Sequence, residues 1–291
     1  MKKNTSFSAK GQRADIGELV INRILPNRYS EAVGSFVFLD HIGPQVLDAV
    51  LQNGTGGHPH RGIATLSYIM EGENEHIDSA GHHTKVYSGG IQWMKSGKGI
   101  LHDETLNPDS RTGTNRIHAF QFWINLPSLV KEENPEYLSI QSEDVPRISL
   151  PDNNGWLKLI VGEYENLKSV IPSYSNQFLY HIQLHAGGTF SVNMDENVEV
   201  AVFLPTKNTV LNDATFESGE FIEFDRLAGE IQIENPMQED TDILLFGGEP
   251  YREAIVAEGP FVMNSAAGIA EAYRDFYAGK YGEINHQKGK V

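Results

Sequence analysis

"GGHPHRGIATLSYIMEG", residues 56–72, sets His58 and His60 one residue apart just ahead of an alternating apolar run. Side chains at i and i+2 of an extended strand leave on the same face, so this spacing aims two imidazoles in one direction. Eleven histidines in 291 residues would place about 0.4 such pairs by chance, so the pair gains meaning only from its surroundings.

The second decisive stretch is "GGIQWMKSGKGILHDETLNPDS", residues 89–110, where His102 and Glu104 repeat the i, i+2 spacing. If the two segments are neighbouring strands of one barrel, His58, His60, His102 and Glu104 converge on its interior. Neutral imidazoles with one carboxylate suit a divalent transition metal, with octahedral positions left over for a substrate and dioxygen. Gly97 and Gly99 in "SGKG" allow a tight turn before the second segment.

Outward from these motifs the chain is a series of short alternating apolar segments broken by Gly, Asn, Asp and Pro. In the first half, strands are expected in "ADIGELVINRIL", "GSFVFLDHIG", "ATLSYIMEG", "TKVYSGGIQWMKSG" and "RIHAFQFWINLP". The second half repeats the pattern from "LKLIVGEY" to "DILLFGG", and such self-similarity points to a duplicated barrel. Residues 127–155, rich in Pro and charge with little periodicity, read as the connection between halves. Near the end, Ile269, Tyr273, Phe276 and Tyr277 form a helical stripe, with Ser265 as N-cap and Gly279 or Gly282 as the stop.

These blocks together resemble the pirin family of the cupin superfamily. "HPHRG…TLSYIMEG" followed by "GGIQWMKSGKGILHDE" is similar to its two N-terminal motifs, and "FGGEPYREAIVAEGPFVMN" with "DFYAGKYG" to its C-terminal signature. The resemblance implies an all-β fold of two cupin (double-stranded β-helix, jelly-roll) barrels face to face, with a short C-terminal helix. The expected division is a metal-binding cupin over 1–135 and a metal-free cupin with the C-terminal segment over 136–291. It implies metal ligands at His58, His60, His102 and Glu104, with iron as Fe(II) the metal and Ni, Co, Cu, Mn or Zn as substitutes. It implies flavonol dioxygenation of the quercetin type, using dioxygen, with Glu104 as ligand and base. The alternative class is a metal- or redox-dependent regulator that binds a transcription factor or a metabolic enzyme. Where family members carry a glutamate four residues after the second motif histidine, this chain has Ala64. The expected consequence is intact metal binding with weak flavonol turnover, raised by Ala64→Glu.

Composition narrows the partners. With 39 acidic against 23 basic residues the formal charge is −16, which disfavours direct nucleic-acid binding and an anionic membrane surface. No cysteine is present, excluding disulfides, thiolate metal sites and cysteine nucleophiles. Without a signal-like leader or a long apolar run, the expected location is cytoplasmic, or nuclear in a eukaryote. His82 and His83 are adjacent and face opposite ways on an extended chain; His76 and His118 read as surface residues or as supports of the ligands, with pocket lining as the alternative. Arg61 suits either an anionic substrate or a structural ion pair. His181 and His185 are four apart on a strand and lack the paired motif, so the second barrel is expected to hold no metal.

Overall fold

The computed structural model describes residues 1–286. Strands dominate, and the single α-helix among the described residues is Ala266–Tyr277. The chain forms two compact units. One comprises Arg13–Asn22, Phe38–Asp144 and the segment from Arg252 onward; the other comprises Met1–Gln12, Arg23–Val37 and Val145–Tyr251. This division differs from the one expected at 135/136, and it does so at both ends of the chain. Thr5–Lys10 pairs antiparallel with Glu220–Phe224, so a strand from the first half completes a sheet of the second. The C-terminal helix buries Ile269 and Ala272 in a cluster with Phe261, Met263 and Tyr281, against which Leu101 of the first half packs.

Each unit is a cupin made from one seven-stranded and one four-stranded sheet. In the unit bearing the histidine motifs, the large sheet runs Glu136–Ile140, Ile91–Lys95, Ile63–Glu71, Arg116–Asn125, Phe36–Val46, Ile21–Leu25, Gln12–Arg13. Its small sheet runs His58–His60, Ile100–Asn107, Glu73–Asp78, His83–Tyr87. The expected strand "TKVYSGGIQWMKSG" is thus two strands in different sheets, parted by a turn in which Gly89 takes φ +82°. The region expected to be a plain connection contributes a strand to each unit. Glu136–Ile140 pairs with Ile91–Lys95, and Arg147–Ser149 pairs with Gly155–Val161, because even short alternating runs satisfy a sheet edge.

The other unit holds a large apolar cluster, with Leu157, Leu159, Ile182, Val202, Ile231 and Leu245 among its buried members. In the motif-bearing unit the small sheet inverts that rule. In "ENEHID" the buried alternate positions are Asn74, His76 and Asp78, while Ile77 is partly exposed. Buried polar groups are costly unless satisfied, so this interior is built for something other than stability.

The C-terminal helix starts where expected: Ser265 accepts a hydrogen bond from the Gly268 N–H at 3.1 Å. Of the expected stripe, Ile269 is buried and Tyr273 and Phe276 pack against its cluster. Tyr277, the last helical residue, is 79% exposed and takes no part in that core.

Candidate metal centre

The His58–His60 and Ile100–Asn107 strands are antiparallel neighbours, with His58 opposite His102 and His60 opposite Ile100. Their ring centroids lie 4.4 Å apart for His58–His102 and 5.0 Å for both His58–His60 and His60–His102. Among the described residues, ligand atoms gather within 4.8 Å of one another in two sets, His58/His60/His102 and His76/His102/Glu104. His102 belongs to both. The expected histidines are brought together; Glu104 groups instead with His102 and His76, the latter not expected as a ligand.

Hydrogen bonds orient these rings. His58 donates Nδ1–H to the Gly56 carbonyl at 2.8 Å, and His60 donates Nδ1–H to the Pro260 carbonyl at 3.0 Å. A ring that donates from Nδ1 keeps its Nε2 lone pair for a metal. His102 is fully buried, and neither of its ring nitrogens has a hydrogen-bond partner. Burial pushes His60 down to about 3, helped by the neighbouring His58, while the Pro260 carbonyl opposes the shift. Burial, with His60 and His58 beside it, holds His102 well below the ordinary imidazole value. Neutral imidazoles with unclaimed nitrogens in a buried cluster match what a divalent transition metal requires of its ligands.

Glu104 is cradled by donors. It accepts from Asn74 Nδ2 at 3.0 Å and Ser67 Oγ at 3.2 Å on one oxygen, and from Gln121 Nε2 at 2.9 Å on the other. Gln92 accepts from Asn74 at 2.6 Å and locks that amide. His76, opposite Glu104 in the register, sends Nε2–H to Asp78 at 3.2 Å and leaves Nδ1 facing Glu104 at 4.0 Å. Asp78 also accepts from His82 Nδ1 at 2.8 Å, and Tyr137 stacks on His76 at 4.3 Å. Against burial, which pushes it up, the bonds from His76 and His82 hold the Asp78 carboxyl below the carboxylate range. Of the places open to His76 in the sequence (surface, support of the ligands, pocket lining), the surface is excluded: it is buried within the cluster. The alternation N-x-H-x-D over 74–78 was the signal available for Asn74, His76 and Asp78. Nothing local marked Ser67, Gln92 or Gln121, which the sheet pairing assembles.

Three further expectations resolve here. Arg61 is a structural cation: it pairs with Asp275 at 2.9 Å, Glu271 at 3.2 Å and Glu132 at 3.3 Å. In the other unit, His181 Nε2 meets Asp242 at 2.9 Å and His185 bonds the Asn153 carbonyl, so the two rings answer to different partners. Ala64 is corrected. Ser67 reaches Glu104, so odd-numbered side chains of Ile63–Glu71 face the cluster and Ala64 faces the opposite side, paired with Lys95. A glutamate at that position would point away from Glu104.

Beside Glu104 lies a cavity of about 40 Å³ walled by Ile42, Leu106 and Phe120. A wider recess of about 530 Å³, bounded by residues 16–19 and 49–55, also ends on Glu104 and Leu106. At the other side of the cluster Trp123 meets His60 edge-on at 4.9 Å and stacks on Phe38 at 4.2 Å. No helix among the described residues is long and apolar enough to cross a membrane.

Two cupin units in one chain, with a histidine-rich interior in one of them, define a bicupin. The pirin family model matches residues 19–124, and the model of the pirin C-terminal cupin domain matches residues 179–282. The chain is 32% identical to a Pseudomonas aeruginosa protein provisionally named a quercetin 2,3-dioxygenase, over 88% of this chain and 89% of that protein. It is likewise 32% identical to the Rattus norvegicus protein named pirin, over 89% of this chain and 92% of that one. The crystal structure of a quercetin 2,3-dioxygenase from Acinetobacter baumannii superposes with a TM-score of 0.90 at 30% identity, covering 98% of this chain and 100% of that one. The chain belongs to the pirin family.

Proposed function

We propose that this protein is a metal-dependent dioxygenase that opens the heterocycle of flavonols such as quercetin, releasing carbon monoxide. The observation that carries the reading is His102, buried with both ring nitrogens unpartnered, with the Nε2 atoms of His58 and His60 left available beside it. In this reading His58, His60, His102 and Glu104 hold one divalent transition metal, Fe(II) first among the candidates. When bound, such a metal supplies Lewis acidity toward a substrate oxygen and redox reactivity toward dioxygen.

The chain's own residues supply the rest. The recess of about 530 Å³ lies within the volume range of small-molecule sites and counts Glu104 among its lining residues. A flavonol entering there presents its acidic hydroxyl to Glu104, whose oxygen accepts the proton. His76, with its own proton committed to Asp78, offers Nδ1 as the next acceptor 4.0 Å from Glu104. Leu106, Ile42 and Phe120 exclude water from the inner end. The names of the Pseudomonas and Acinetobacter relatives support this substrate class. The test is consumption of quercetin and dioxygen under air by protein of measured metal content. Turnover that tracks metal occupancy and vanishes in His102→Ala bears the reading out; absence of turnover at full occupancy overturns it.

A further inference from the structure

His60 takes its orientation from residue 260, far away in sequence, and the contacts around that bond form a latch. Pro260 sits at the tip of a hairpin, Val256–Glu258 with Phe261–Met263, whose second strand bridges at Phe261 to Arg61, the residue after His60. The Val262 N–H donates to the Arg61 carbonyl at 3.1 Å. Gly62, at φ +84°, comes so close that a Cβ there would stand 2.0 Å from the Val262 carbonyl oxygen. Into this junction reaches Lys131, buried to 1% exposure. Its Nζ donates to the Gly62 carbonyl at 2.9 Å, the Val262 carbonyl at 2.6 Å and Asn125 Oδ1 at 2.5 Å. One ammonium thus ties together two carbonyls, one two residues beyond the ligand His60 and the other in the hairpin. All three acceptors are uncharged, an expensive environment for a lysine, and burial brings its pKa down to about 7. Nothing in the proposed chemistry uses this group.

We propose that Lys131 is a positioning residue of the metal centre: by clamping the Gly62 and Val262 carbonyls it holds the hairpin so that the Pro260 carbonyl fixes His60 in the Nδ1–H tautomer. Nε2 is then presented to the metal without a search over ring flips. Outer partners that fix a ligand histidine in this way are worth about 10–100-fold in metal affinity. The inference rests on His60 being a ligand, as in the functional reading above.

A second buried lysine of the same unit provides the control. Lys95 pairs with Glu133 at 2.7 Å and Glu136 at 2.6 Å and lies on the face of the large sheet turned away from Glu104. The experiment titrates metal-free full-length protein with cobalt(II) against a chromophoric chelator, at a temperature where circular dichroism shows each variant folded. Imidazole ¹⁵N shifts of the metal-free protein report the His60 tautomer. Lys131→Met is expected to weaken cobalt binding about 10–100-fold, at unchanged stoichiometry, and to mix the His60 tautomers. Lys95→Met is expected to lower thermal stability without changing affinity or tautomer. Lys131→Gln, which keeps an N–H donor, is expected to fall between Lys131→Met and wild type and serves if Lys131→Met does not fold. Wild-type affinity and a retained Nδ1–H signal in either Lys131 variant overturn the proposal, as does an equal loss in Lys95→Met. Full, wild-type-tight cobalt binding in His60→Ala instead overturns the ligand assignment beneath it.

Discussion

The small sheets of the two units have the same strand count and opposite interiors. Phe190, Leu211, Ile231 and Ile233 fill the inner face in one; His58, His60, His102, Glu104, His76 and Asp78 fill it in the other. The apolar unit gains the full hydrophobic return, roughly 25 cal/mol per Å² of surface removed from water. The polar unit forgoes much of that return and must satisfy each buried group, which the Asn74–Gln92–Glu104–Gln121 network does residue by residue. Within the ligand cluster His102 is left incomplete, with both ring nitrogens unpartnered. The difference teaches that the fold tolerates either filling of its inward positions.

That contrast can be broken most severely at His102. His102→Ala should lower metal affinity by well over the roughly 10–100-fold that loss of an outer partner costs, whereas His181→Ala and His185→Ala should leave metal content unchanged. Elemental analysis after dialysis decides it; a metal equivalent lost with His181 or His185 would make the two interiors functionally alike. In the apolar unit, Ile231→Ala should cost about 2–5 kcal/mol, read as a lower melting temperature, with metal stoichiometry still one per chain. A parallel collapse of cobalt affinity at a temperature where the variant is folded would show that the interiors are not separable.

Acid should strike the polar unit first. His41 is buried against His118, with Nε2 atoms 2.8 Å apart, and burial followed by His118 pushes it down to about 3. The unfolded chain binds that proton near the ordinary value of about 6.5, so the unfolded state carries more protons between pH 6.5 and 3. Stability is therefore full above about pH 6.5 and declines as the pH falls toward 3, at up to about 1.4 kcal/mol per pH unit for one such group. Urea midpoints at pH 7.5 and 4.5 should converge in His41→Gln relative to wild type; an unchanged pH slope in the variant rules His41 out as a source. The smallest effect belongs to Ala64→Glu. Since the side chain faces Lys95 and not Glu104, flavonol turnover should change by far less than the roughly 10²–10⁴-fold of a general base. A large rise in rate would mean that strand Ile63–Glu71 presents its other face to the substrate.

The histidine pair and the His102/Glu104 pair were legible because period-two spacing is a local property that adjacent strands preserve. The duplicated strand pattern and the helix cap at Ser265 were legible for the same reason. What escaped was set by pairing between distant segments. Gln121 comes opposite Ser67 through strand register, and Thr5–Lys10 reaches Glu220–Phe224 across most of the chain. Ala64 misled because a motif position says which residue is unusual, while the strand's parity, fixed by the Ser67–Glu104 bond, says where it points. For His76 the local signal was present, since Asp78 stands at the same i, i+2 spacing as the two motif pairs, but its place beside Glu104 depends on the pairing of two strands.

The bond from His60 to the Pro260 carbonyl spans 200 residues, and this separation acquires meaning when the chain is made rather than when it is finished. A ribosome releases residue 60 long before residue 260 exists. At about 5–20 residues per second, His60 spends on the order of ten seconds or more without the carbonyl that selects its tautomer. During that interval the His60 ring lacks the partner that its Nδ1 has in the folded chain. If His60 is a metal ligand as proposed, the latch also acts as a clock, delaying full affinity until the hairpin has emerged and docked.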